Sequence, residues 1–64
     1  MVVDIPTAAS LLDVSAATLY RWISQGQVGF IQLPSGVRRV PLREISRITE
    51  LPVEHLIDVL RYME

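Results

Sequence analysis

Residues 15 to 26, Ser-Ala-Ala-Thr-Leu-Tyr-Arg-Trp-Ile-Ser-Gln-Gly, restrict the possible folds more than any other stretch of the chain. Ser15 is a good helix N-cap, because its hydroxyl can satisfy an otherwise unpaired amide of the first turn. Gly26 is a good terminator, because glycine accepts a left-handed backbone. Between them Leu19, Trp22 and Ile23 fall at i, i+3 and i+4 and therefore share one face, which must be buried. Ala16, Ala17, Thr18, Tyr20, Arg21, Ser24 and Gln25 are left for solvent or a partner. At the N-terminal end these are small or polar, so this end of the helix can come close to another surface. Taken alone, the segment reads first as an ordinary amphipathic helix with a solvated side.

A chain of 64 residues makes one domain, near the lower limit at which a hydrophobic core holds a fold without reinforcement. There is no cysteine, which excludes disulfides and thiolate metal sites, and the single histidine, His55, cannot supply a metal site alone. No metal and no cofactor are expected. No apolar run approaches the roughly 20 residues of a membrane span, and the N-terminus lacks the basic-then-apolar pattern of a signal peptide. The expectation is a soluble, cytoplasmic protein. With one histidine, no cysteine and no cluster of acids that a short chain could bring together in a pocket, an enzyme is not expected.

The net charge of −1 hides an asymmetry. From Val14 to Arg43 there is no acid, and the stretch carries Arg21, Arg38, Arg39 and Arg43, whereas both ends of the chain are acidic. A basic middle between acidic ends suits a partner with a regular array of negative charge, and phosphate neutralisation by arginine dominates DNA affinity. Chance clustering is the alternative.

Taken in order, Met1 to Ile5 is a lead-in that can pair loosely with a later strand. Thr7 is expected to cap a first, two-turn helix, with Pro6 before it, Ile5 packing back, and Ala8, Leu11 and Leu12 buried. Asp13-Val14-Ser15 offers a three-residue turn. Asp13 is one of the few non-glycine residue types that tolerate a left-handed conformation, and Val14 can plug the gap between the two helices. Val28 to Leu33 reads as a strand, Pro34-Ser35-Gly36 as a turn and Val37 to Val40 as a returning strand, together a small β-hairpin. Alternation places Val37 and Arg39 on one face and Arg38 and Val40 on the other, with Arg38 favoured as the outward arginine. Pro41 suits the first turn of a third helix with Leu42, Ile45 and Ile48 buried. Arg43 and Arg47 then share another face, balanced by Glu44 and Glu50 or free for phosphate. After Leu51-Pro52 a last helix runs to the end of the chain. Its apolar set, Val53, Leu56, Ile57, Val59, Leu60 and Met63, is wide for so small a domain: either it closes the core or part of it is left for a partner, and an interface at Leu56, Val59, Leu60 and Met63 is favoured.

Thr7-Ala8-Ala9, Leu11-Leu12, Val14-Ser15, Thr18 to Ile23, Gly26, Leu33 to Gly36, Arg38-Arg39 and Val40-Pro41 resemble the excisionase-type winged helix-turn-helix proteins, relatives of the DNA-binding half of MerR-like regulators. The resemblance spans residues 5 to 48, about two-thirds of the chain. It implies a mainly α fold with a small β-hairpin, a winged helix-turn-helix over residues 1–50; outside the resemblance, the apolar pattern adds a C-terminal helix over 51–64, for packing or oligomerisation. It also implies that the second helix enters the major groove and that the hairpin is a wing over the adjacent minor groove. By position, Ser15, Ala17, Thr18 and Arg21 lie nearest double-stranded DNA, with Tyr20 on the backbone. Ser35, Gly36 and Arg38 lie nearest it from the wing, and Arg39 and Arg43 are further candidates. In three places the chain departs from the family pattern. Asp13 replaces a usual glycine, Ser10 replaces a usual acid that completes a capping box, and the wing is less basic than is common.

The resulting expectation is a phage or mobile-element excisionase, that is, a recombination directionality factor without an active site. Copies would bind neighbouring sites or dimerise, bend attachment-site DNA and direct an integrase toward excision. A small MerR-like transcriptional regulator is the alternative within DNA binding. A protein-interaction module working through the last helix is the alternative of another class.

Overall fold

The computed structural model describes residues 1–63. Its first helix, α1 (Ile5–Leu12), is capped by Asp4 and not by Thr7. Asp4 Oδ1 accepts a hydrogen bond from the Thr7 backbone N–H at 2.9 Å. Ile5 and Pro6 are therefore the first helical residues, where proline costs no hydrogen bond. Because the cap lies three residues earlier than expected, Ser10 no longer occupies a capping-box position, and its departure from the family pattern removes nothing. Hydrogen bonding from Thr7, its side chain first and then its backbone N–H, holds the Asp4 carboxyl below its usual range, assisted by the charge of Arg39.

α1 and the second helix, α2 (Ala16–Ser24), end in the same way. After α1, Asp13 N–H donates to Ser10 O at 3.1 Å and Val14 N–H to Ala9 O at 3.0 Å. After α2, Gly26 N–H donates to Ile23 O at 3.0 Å and Gln27 N–H to Trp22 O at 2.9 Å. Each is the paired closure that absorbs the last orphan carbonyls of a helix, and it needs one left-handed residue. Asp13 supplies it at φ 59° and Gly26 at φ 75°. Val14, the residue after Asp13, folds back against the core and fixes the angle between the helices.

The sheet has three antiparallel strands, β1 (Val2–Val3), β2 (Ile31–Gln32) and β3 (Arg38–Pro41), in the order β1-β3-β2. The lead-in does pair with a later strand: Val2 lies opposite Pro41 and Val3 opposite Val40. β2 is much shorter than the strand expected over 28–33, since Val28 leaves the sheet plane to be buried in the core at 2% exposure. Pro41 ends β3 and caps the third helix, α3 (Leu42–Thr49), instead of lying inside its first turn. Proline has no N–H to continue the ladder, and the next donor, Leu42 N–H, bonds Met1 O at 3.0 Å.

The core draws on every layer. Leu19 of α2, Val40 of β3 and Leu42 and Ile45 of α3 are essentially inaccessible, and Leu56 of the last helix, α4 (Val53–Met63), joins them at 1% exposure. This corrects the interface assigned to Leu56. Val53, Ile57 and Leu60 also pack on the core, so the wide stripe mainly closes the domain. Val59 is half-buried, while Met63 and Tyr62 are exposed. The helix expected to run to the end of the chain is seen as far as Met63, and Glu64 lies outside the described residues.

Candidate nucleic-acid interface

The site is built on α2. Ser15 Oγ accepts from Thr18 N–H at 3.1 Å and lies 3.0 Å from Thr18 Oγ1, so the two hydroxyls form the cap together. Leu19 and Ile23 are buried and Trp22 is half-buried, which fixes the roll of the helix. On the opposite side Ala17, Tyr20, Arg21 and Ser24 follow at i, i+3, i+4 and i+7, all exposed. Ser24 completes this stripe although sequence reasoning did not single it out. Its Oγ–H donates to Arg21 O at 2.9 Å, which leaves its lone pairs outward. The stripe is therefore small at its start and cationic in its middle, and the first turn carries no acid.

The hairpin between β2 and β3 projects beyond the core: Ile31 to Arg38 are all exposed. Its tip is closed by Leu33 N–H to Val37 O and Gly36 N–H to Leu33 O, both at 2.8 Å. Gly36 has φ 89°, which a side chain would strain, and nothing lies within 4 Å of where a Cβ would stand. Ser35 and Gly36 thus form an open tip.

The two wing arginines part as alternation requires. Arg38 is exposed, with its guanidinium carbon 5.0 Å from the centre of the Phe30 ring. Arg39 is half-buried, donates to Arg38 O at 3.1 Å and lies near enough to Asp4 to lower that carboxyl. Arg39 thus lies over the domain, and Arg38 is the more exposed of the two.

Arg43 and Arg47 part as well. Arg43 is exposed beside a shallow cleft formed with Val2, Ile31 and Val53. Arg47 is exposed too, but its donors are taken up by bonds within the protein. Its Nη2 donates to Glu44 Oε1 and to Gln27 O, both at 2.9 Å, and Nε donates to Glu44 Oε2 at 3.3 Å. Glu44 Oε1 also accepts from Gly29 N–H at 2.7 Å. These bonds, the Arg47 side chain first, hold the Glu44 carboxyl below its usual range. The result is a clamp that fastens residues 27–29, the link between α2 and the wing, to α3. Sequence spacing placed Arg47 with Arg43 on a face that Glu44 and Glu50 could balance. The reach of Glu44 and Arg47 to the backbone of a segment 15 to 20 residues earlier had no local signal.

Among the described residues the ion pairs are Arg47–Glu44 and Arg61–Asp58, so Arg21, Arg38, Arg39 and Arg43 take part in none. Two of the four, Arg21 and Arg38, sit on the outward stripe of α2 and on the exposed wing. The described residues include no group of three acids, histidines or cysteines placed to hold a metal, and no helix long and apolar enough to cross a membrane. No curated protein and no solved structure matches the chain. A family model, described as a helix-turn-helix domain, matches residues 2–50. That segment contains both capped helices, the hairpin and α3, and on this match the chain belongs to the helix-turn-helix domain family, a family of DNA-binding proteins.

Proposed function

We propose that this is a small, non-catalytic DNA-binding protein that acts as an excisionase, binding attachment-site DNA in several copies, bending it and directing an integrase toward excision. Residues 1–50 are the DNA-binding unit and 51–64 complete it. α2 enters the major groove with Ala17, Thr18, Arg21 and the Ser15 end against base edges and Tyr20 against backbone. The wing lies over the adjacent minor groove with Ser35, Gly36 and Arg38 inward. The observation that carries this reading is the placement of Arg21 and Arg38, both exposed and in neither ion pair among the described residues, on the outward face of α2 and on the hairpin of the segment that matches the helix-turn-helix family. Arg39 and Arg43 add positive potential at the margin.

Few basic contacts per copy make single-site binding weak, and assembly on adjacent sites then adds affinity through effective concentration. Bending the DNA between copies brings distant segments together for the integrase. Footprinting on attachment-site and promoter DNA tests this directly. The expected result is cooperative protection of repeated sites in attachment DNA, and stimulation of excision when integrase is added. Protection confined to a promoter, without any effect on excision, would instead make the protein a transcriptional regulator. Arg21→Ala is expected to weaken site-specific binding by about 1 to 3 kcal/mol, measured by gel-shift titration. Unchanged affinity would remove Arg21 from the interface.

A further inference from the structure

Phe30 is 40% exposed at the base of the wing and lies outside the core. The register pairs Ile31 with Arg39 and Gln32 with Arg38, so Phe30 and Arg38 are diagonal neighbours on one face of the hairpin. Diagonal pairs lie within reach of aromatic and long side chains. The Arg38 guanidinium is indeed over the ring, 5.0 Å from its centre. Stacking occupies the flat face of a guanidinium and leaves its in-plane N–H donors free. Among the described residues Arg38 is in no ion pair, so that donor edge is not consumed by a carboxylate. The shelf itself is anchored: Gly29, the residue before Phe30, donates its N–H to Glu44 of α3 at 2.7 Å. A chain of restraint therefore runs from α3 through Glu44, Gly29 and the Phe30 ring to the Arg38 guanidinium.

We propose that Phe30 is a positioning residue for Arg38, a fixed aromatic shelf that holds the wing guanidinium in one plane with its donor edge turned to a DNA backbone phosphate. This rests on the reading that the wing meets DNA. An unsupported arginine must surrender its rotamer freedom when it binds; one already stacked surrenders less, so the wing contact gains affinity without an added charge.

The test is a double-mutant cycle on the full chain with a fluorescein-labelled DNA duplex, titrated by anisotropy at several salt concentrations. Arg38→Ala is expected to weaken binding and to reduce the salt slope by about one phosphate. Phe30→Ala is expected to weaken binding by about two- to five-fold, but to add nothing in the Arg38→Ala background. Phe30→Tyr, which keeps the ring, retains affinity, and Phe30→Leu, which keeps only apolar bulk, behaves as Phe30→Ala. In the free protein, NMR is expected to show a ring-current shift at the Arg38 side chain that Phe30→Leu abolishes. If Arg38→Ala binds like the parent, the wing reading fails and the proposal with it. If Arg38→Ala weakens binding while Phe30→Ala does not, or Phe30→Ala costs as much without Arg38 as with it, the proposal alone is overturned. Thermal melts of each variant separate these outcomes from unfolding, and Phe30 lies outside the buried core cluster.

Discussion

A left-handed residue is needed between α1 and α2, and Asp13 takes that conformation at φ 59° where glycine is usual. An L residue pays roughly 1 to 2 kcal/mol for this conformation, less when a short polar side chain can bond locally. Alanine has neither glycine's freedom nor such a side chain. Asp13→Ala is accordingly expected to lower stability by about 1 kcal/mol in urea denaturation, and Asp13→Gly to cause no loss. If both variants unfold at the parent's midpoint, the turn is not under strain. This position was legible from residue type alone, because left-handed tolerance is a local property. The cap of α1 was not, because Asp4 and Thr7 are both good caps and the choice between them depends on Ile5, which the core buries.

At the level of elements, the clamp from α3 sets where the wing departs. Glu44 is ionised when it accepts from Arg47 and Gly29, and its folded pKa lies below the ordinary 4.5. A carboxylate with a depressed folded pKa adds stability above its unfolded value, and that stability is lost as pH falls through the folded one. Acidification below about pH 4.5 is therefore expected to lower the urea midpoint, and Glu44→Gln to flatten part of that dependence. An unchanged pH profile in the variant would mean that the clamp contributes nothing. A Cβ at Gly29 would stand 3.1 Å from Glu44 Oε1, so a side chain there would press on the clamp. Periodicity located α3 and Leu42, Ile45 and Ile48 on its buried side. It also presented Arg43 and Arg47 as one face, which tertiary structure divided by giving Arg47 a backbone carbonyl and Glu44 to hold.

For the whole molecule, the decisive feature is that α4 completes the core. A domain of 64 residues has only about 3 to 10 kcal/mol of net stability. Truncating a fully buried leucine to alanine costs about 2 to 5 kcal/mol. Leu56, 1% exposed, is thus expected to be a folding residue: Leu56→Ala should lower Tm by more than about 10 °C, measured by circular dichroism. A variant that keeps its Tm but loses self-association in sedimentation would return Leu56 to an interface. The sequence showed a wide apolar stripe with two possible uses, and the burial of Leu56 assigns that residue to closing the core. Hydrophobic spacing states that a face must be covered, but not whether the cover is the same chain or another.

What depends on neighbours within a few residues is legible along the chain: the capped helix from Ser15 to Gly26, the turn through Asp13, the hairpin with Gly36 at its tip, and the concentration of arginine in the acid-free middle. Short-range sterics and helical or strand periodicity act along the chain, so they can be read along it. Tertiary structure decided what depends on closure of the core. It enclosed Leu56 instead of displaying it, moved Val28 out of the hairpin, laid Arg39 over the domain near Asp4, spent Arg47 on the clamp and set Arg38 on Phe30. Each of these outcomes joins residues distant in sequence or assigns one of two equivalent faces to the core, and only packing in three dimensions makes that choice.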